Sequence, residues 1–431
     1  MSRAVFPQSL RRMRGGGVGM TQSEPFDTST HEEMGLMQGF PPPPDKRVTQ
    51  ADGFFAAPQN RWAYQNMRSL WPSREIAPGS TPRALPRKID PGLSRIEVAR
   101  EDGSKADFAT YLRQSFTDSF TVIKDGAVVH QTMMNGMTPH QPHIMFSCTK
   151  SFVGLLTLMA VEQGQMDEAA LLSAYVPEGA NGGAFDGVTL GQALDMTNAV
   201  DYDEDYANPQ ASIHDYLHVF GTGQPGPRPG LCDYLLSLGA ETSRAHGAEF
   251  HYATPVTDMV AWALSRATGQ SFTDLMSGQL WQPCGMAGPD YILVDGQGAP
   301  FTGGGLNATA DDMTRFAAMI LAGGRVGNTQ VVPEAVIAEL EAGGSEAAFE
   351  AGGEATGRMQ EGGWSYRAQW WVRRQAGHEA ILAIGVHGQY IYVDRPRGVA
   401  IVKQSSQPLS SDPYFSTYNL NAFDAVVERL S

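Results

Sequence analysis

Cysteine is scarce in this chain. Cys148, Cys232 and Cys284 are the only three in 431 residues, widely spaced and without a C-x-x-C pair. That excludes a disulfide framework and a cysteine-bound zinc site, and leaves reduced, mostly buried thiols. Basic charge is short as well. Lys and Arg number 31 against 46 Asp and Glu, for a net charge of −15, and no Lys/Arg stripe forms outside the extreme N-terminus, so nucleic acid is excluded as a partner. No apolar run approaches the ~20 residues of a membrane span. Residues 1–19 carry Arg3, Arg11, Arg12 and Arg14 but no apolar core, so no secretory signal is expected and the chain reads as soluble and cytoplasmic. His140-Gln141-Pro142-His143 lacks further ligands for a metal. Phe301-Thr302-Gly303-Gly304-Gly305 lacks the lysine of a phosphate loop and reads as a tight passage beside a pocket. No metal and no organic cofactor is expected.

The length calls for one large compound domain or two. Residues 1–58 hold Gly15-Gly16-Gly17 and Pro41-Pro42-Pro43-Pro44 without a sustained period, and read as an extension, flexible or draped over the body. Residues 107–119 suggest a short helix. Phe120 to Lys124, Asp125-Gly126 and Ala127 to His130 form a hairpin pattern with its turn. From 188 to about 300 the pattern is mostly helical, including 255–268 closed by Gly269, and 310–321 is a further amphipathic helix. After that the period changes: 369–372, 380–385, 390–393 and 399–402 read as antiparallel strands, with a closing helix over 419–430. The expected architecture is therefore α/β (α+β). Residues 59–165 and 303–431 build an antiparallel sheet flanked by helices, and 166–302 form an inserted, mainly helical domain.

One stretch carries chemistry. In Phe146-Ser147-Cys148-Thr149-Lys150-Ser151-Phe152 a serine and a lysine stand at S-x-x-K spacing ahead of an apolar run to Ala160. If Ser147 opens that helix, Lys150 lies one turn on along the same face. A desolvated, neutral lysine can take the serine proton and make a nucleophile, and free N–H groups at the helix start suit an oxyanion. S-x-x-K alone also marks many surface helix starts. The apolar wall on both sides of this one is what favours catalysis. Tyr252, on a loop entering a helix, and Tyr206, in the acidic loop 201–209, are packing residues by spacing alone. Gly385-Val386-His387-Gly388-Gln389 places glycine in a strand, where a ligand or backbone can approach. His387 is either an acid/base there or a buried histidine satisfied by a carbonyl.

Together these motifs resemble the penicillin-recognising serine hydrolases: class C β-lactamases, family VIII esterases and, above all, the 6-aminohexanoate-dimer (nylon-oligomer) hydrolases. The resemblance runs from about residue 60 to the end, through Asn60-Arg61-Trp62-Ala63, Ser147 to Ser151, Asp201 to Tyr206, Tyr252-Ala253-Thr254 with Thr257-Asp258, Gln369-Trp370-Trp371 and His387-Gly388-Gln389. It implies a β-lactamase-like fold and a covalent acyl-enzyme hydrolase of a small amide or ester. Ser147 would be the nucleophile, Lys150 its base partner and Tyr252 the proton relay. Tyr206 would bind the scissile amide, and the N–H groups of Ser147 and Val386 would form the oxyanion hole. Thr254, Thr302, Trp371, His387, Gly388 and Gln389 would surround the substrate. Thr254 stands where β-lactamases carry Asn, and Ala383-Ile384-Gly385 replaces their K-T-G triad, which removes the cation for a β-lactam carboxylate. Thr302 and the loop 216–229 also depart from the nylon-oligomer pattern. A carboxylesterase with the same machinery and a non-catalytic ligand-binding relative are the alternatives, the intact Ser147, Lys150 and Tyr252 set weighing against the latter. The carboxylates of loop 201–205 either attract a substrate amine or are a solvated surface. The choice between monomer and homodimer stays open.

Overall fold

The computed structural model describes residues 26–50, 54–221 and 229–431. The N-terminal arginines, the glycine run 15–17 and residues 222–228 of the loop 216–229 lie outside the described residues. Among the described residues the main sheet has seven antiparallel strands. β1 (Thr117–Lys124) and β2 (Ala127–Met133) precede the helical middle. β3 (Trp364–Arg367), β4 (Trp370–Gln375), β5 (His378–Gly385), β6 (Gln389–Asp394) and β7 (Val399–Ser405) follow it. Their order is β3-β4-β5-β6-β7-β1-β2, so β7 against β1 is the seam, with Val399 opposite Lys124 and Ser405 opposite Thr117. The Asp125-Gly126 turn has φ of 48° and 77°, both positive as the favoured two-residue hairpin turn requires. Strand β3 has no counterpart in the apolar pattern, because its four residues are too few to establish a period.

Helices cover both faces. The principal ones are α1 (Phe108–Gln114), α2 (Cys148–Glu162), α3 (Thr254–Thr268), α4 (Ala310–Leu321) and α5 (Pro413–Leu430). Neighbouring side chains of a strand point to opposite faces, and Trp370 and Trp371 divide accordingly. Trp370 donates its indole N–H to the Ser151 carbonyl at 3.0 Å and stacks on Phe316 of α4. On the Trp371 face, Tyr392 meets Phe423 of α5. Helix α2 is buried from Cys148 through Ala160. A helix apolar all round must be enclosed, and α2 lies between α3 and strand β5. Among the described residues of 166–302 the regular elements are helices, joined by irregular loops, apart from strand Tyr291–Leu293. That strand joins Ser73–Glu75, Leu306–Thr309 and Pro142–Ile144 in a small four-stranded sheet that leads the chain into Ser147. No helix among the described residues is long and apolar enough to cross a membrane.

The Asn60-Arg61 stretch works through its polar residues, not its aromatic one. Asn60 and Arg61 are buried while Trp62 is half-exposed. Asn60 donates to the Ser406 and Gln407 carbonyls, and Arg61 donates to Asp118 Oδ1 at 3.0 Å and to Ser406 Oγ at 2.8 Å. His143 Nε2 lies 3.0 Å from Asp118 Oδ2. Burial alone would raise the Asp118 carboxyl, yet Arg61 and His143 hold it below its usual value. Removing one member of a buried ionic cluster leaves the others uncompensated, which costs about 3–5 kcal/mol. Asp118→Ala is therefore expected to destabilise the chain by that amount in urea unfolding, with a matching fall in Tm. A loss below about 1 kcal/mol would show that the cluster does not hold Arg61, His143 and Ser406 to strand β1.

Candidate active site

Strand Pro142–Ile144 passes through Met145 and Phe146 to Ser147, the residue that caps the N-terminus of α2. Phe146 has φ of 43°, a left-handed conformation that bulky residues adopt only where their surroundings enforce it. Strand β5 ends against this turn. A Cβ at Gly385 would come within 2.5 Å of the Met145 carbonyl oxygen, so only glycine permits the approach.

Lys150 is buried one turn along α2. Its Nζ donates to Ser147 Oγ at 2.9 Å and to the Gly303 carbonyl at 2.6 Å. Desolvation pushes the amine down to about 8, with Glu204 and Asp258 pulling it back toward the charged form. The Tyr252 ring centroid is 5.0 Å from Nζ. Burial drives this phenol well above its usual range, although the neighbouring Ser147 side chain favours the ionised form of its hydroxyl, so it stays protonated. The ring stacks on Trp371 at 5.8 Å, while the Tyr252 N–H donates to both oxygens of Glu354, at 3.0 and 3.1 Å.

A second layer fixes the first. Asp258 lies four residues after Thr254 on α3 and is buried. Its carboxylate accepts from Tyr216 and Thr302 hydroxyls at 2.5 Å each and from the Gly303 N–H at 3.0 Å. Burial raises it to about 6. Gly303 therefore presents its N–H to Asp258 and its carbonyl to Lys150. The acidic loop divides. Asp203 and Asp205 accept local backbone N–H groups, whereas Glu204 turns inward and accepts from Thr254 Oγ1 at 2.6 Å, Thr254 N at 2.8 Å and Tyr206 Oη at 3.3 Å. Two of the four loop carboxylates are thus turn formers.

Ser147, Tyr206, Thr254 and Val386 share the wall of one narrow cleft, about 40 Å³ by the centres of water-sized spheres that fit it. The other site candidates stand behind that wall. Thr302 serves Asp258, and Trp371 backs Tyr252. His387 is buried at φ 60° and bonds the Gln407 carbonyl through Nδ1 at 2.7 Å, with burial lowering it to about 4. Gly388, at φ 88°, packs on the Gln407 side chain, and Gln389 bonds Ser405 through both ends of its amide. The 387–389 turn therefore supports Val386 and does not line the cleft. Glu354 and the pair Phe54 and Phe55 are residues of the site that the sequence does not single out, whereas Asp258 stands in the Thr257-Asp258 part of the tyrosine motif without an assigned role.

The sequence profile of the family described as Beta-lactamase matches residues 108–422. The chain is 31% identical over 364 residues to the 6-aminohexanoate-dimer hydrolase of Paenarthrobacter ureafaciens, across 83% of this chain and 88% of the relative. A solved structure from Bacillus anthracis, provisionally named a 6-aminohexanoate-dimer hydrolase, aligns with a TM-score of 0.79 at 25% identity, covering 89% of this chain and 97% of that one. A family VIII carboxylesterase structure, 14% identical, shares the fold at a TM-score of 0.55, covering 75% of this chain and 97% of that one.

The electrostatics can be measured without any substrate. In carbon-13 lysine NMR, Lys150 is expected to titrate near 8, far below its ordinary value, because desolvation outweighs the nearby carboxylates. Glu204→Gln removes one group that favours the charged amine, so the midpoint should fall further. A midpoint that stays put or rises would deny that Glu204 acts on Lys150.

Proposed function

Because the chain belongs to the β-lactamase family, and is a hydrolase of that fold, we propose that it cleaves a small linear amide or ester through an acyl-enzyme on Ser147. The observation that carries this reading is the buried Lys150 amine 2.9 Å from Ser147 Oγ. An amine lowered to about 8 is neutral in a useful fraction of molecules near neutral pH. The neutral amine takes the Ser147 proton as Oγ attacks the carbonyl carbon, and the C=O electron pair moves onto oxygen, facing the N–H groups of Ser147 and Val386. Collapse restores the carbonyl and breaks the C–N or C–O bond, whose electrons leave with nitrogen or oxygen. The proton held by Lys150 passes through the Tyr252 hydroxyl to that leaving group. Water then gives its proton to Lys150 and attacks the acyl carbon, and Oγ departs and regains the proton.

A linear amide of the 6-aminohexanoate-dimer kind is the first substrate candidate, supported by the relative that is 31% identical. A carboxylesterase is the second, favoured by a cleft wall that carries no charged side chain among the described residues. β-Lactams are expected to be poor substrates. Ala383 and Ile384 occupy the place of the K-T-G lysine, and a buried carboxylate without a partner costs several kcal/mol.

Labelling with a fluorophosphonate tests the nucleophile. Ser147 is expected to be the modified residue, and Ser147→Ala to abolish turnover while keeping the wild-type Tm. Modification elsewhere, or turnover without Ser147, would end the acyl-enzyme reading. Tyr252→Phe separates relay from packing. It should reduce amide hydrolysis by about two orders of magnitude more than p-nitrophenyl ester hydrolysis, since an amine must be protonated to leave and p-nitrophenolate need not be. Equal losses on the two substrates would leave Tyr252 a packing residue.

A further inference from the structure

Phe54 and Phe55 belong to the stretch before Asn60 whose composition marks it as an extension, yet both stand in the wall of the cleft that holds Ser147. Their placement is built into the fold. The Tyr64 hydroxyl donates to the Phe55 carbonyl at 3.1 Å, and Phe54 sets its edge on Trp71 with centroids 4.2 Å apart. The Phe55 ring stacks on Tyr206 at 5.8 Å and 18°. It also meets Phe146 edge-on at 5.6 Å and His387 at 4.6 Å. One ring thus touches the residue before the serine, the tyrosine of the acidic loop and the residue after Val386.

Elsewhere in the wall Phe220 and Phe301 stack with centroids 4.2 Å apart. Among the described residues the wall carries no charged side chain, and the inward carboxylate of the acidic loop, Glu204, is held by Thr254. A charged substrate group would lose its water here without gaining a partner. A methylene buried here improves binding roughly fourfold.

Resting on the acyl-enzyme reading, we propose that Phe55 is a specificity-determining residue: the substrate carries an uncharged apolar group, a short alkyl chain or a ring, that lies in this cleft against Phe55, which limits its length. The narrowness of the cleft and the stacking of Phe55 on Tyr206 set that limit. Phe55 takes no part in bond making, and its effect is on which substrates fit.

The test uses the full chain and two ester series, one lengthened on the acyl side as p-nitrophenyl esters and one on the alcohol side as acetates. On the side that occupies the cleft, kcat/KM should climb roughly fourfold per methylene to a limit and then fall. Phe55→Ala should raise the long-to-short substrate ratio about tenfold, the worth of roughly two methylenes, and move the limit to longer chains. Phe55→Trp should move it to shorter ones, and opposed shifts cannot both come from damage to the fold. Profiles that coincide for all three proteins on both sides would overturn the proposal. Fluorophosphonate labelling of the same samples separates the two failures. A labelled Ser147 with coincident profiles removes only the role of Phe55, and an unlabelled Ser147 removes the hydrolase mechanism on which that role rests.

Discussion

Keeping an amine out of water at the start of a buried helix is the constraint to which the rest of the site answers. An isolated ammonium in an apolar interior loses far more hydration than any single contact returns. Lys150 escapes that cost by yielding its proton more readily, so its amine sits near 8. The partners around it are graded. Its direct contacts are neutral, the Ser147 hydroxyl and the Gly303 carbonyl, while Glu204 and Asp258 act from a distance and bond other groups. A carboxylate in direct contact would have fixed the positive charge. Neutral contacts with remote carboxylates leave the amine poised between its two forms.

The fold delivers this by enclosing α2 on every side and letting only its first turn reach a cleft. Helix α3 then supplies three separate services within about one turn of its start. Tyr252, just ahead of it, sets its ring beside the Lys150 amine. Thr254 takes the Glu204 carboxylate, and Asp258 holds the Gly303 passage. Glu354 completes the arrangement from a distant part of the chain by gripping the Tyr252 backbone. The geometry around Ser147 is therefore shared among elements that make no local contact in sequence.

That sharing explains what was legible in advance. The Ser147 and Lys150 pairing rests on helical period alone, so spacing revealed it, and the strands β4 to β7 follow from alternation and turn residues. The antiparallel sheet completed from both sides of a helical middle was legible for the same reason. The functions of Gln389, Trp371, Gly388 and Thr302 were not. Thr302 stands between two residues of the cleft wall, Phe301 and Gly303, yet its own bond goes to Asp258. The bonds and contacts of Gln389, Trp371 and Gly388 go to Ser405, Tyr252 and Gln407, and no pattern announces which way a side chain turns. Phe55 was hidden by the company it keeps, a glycine- and proline-rich stretch without a period. The polar grip of Asn60 and Arg61 was masked by a tryptophan that draws the eye and is half-exposed. Long-range contact was what each of these lacked in the sequence.

The seam between β1 and β7 has a further consequence for how such a molecule comes into being. Lys124 and Val399 stand opposite each other on adjacent strands although most of the chain lies between them. Pairings of such sequence separation close late, since loop entropy opposes them until much else is in place. During synthesis β1 emerges long before its partner and presents an unpaired edge, a template for association with other chains. Helix α2 and the Ser147 turn pack against β5, which also arrives late, so hydrolytic competence appears only when nearly all of the polypeptide has been made. Assembly of this protein is thus governed less by local helix formation than by the wait for its last strands.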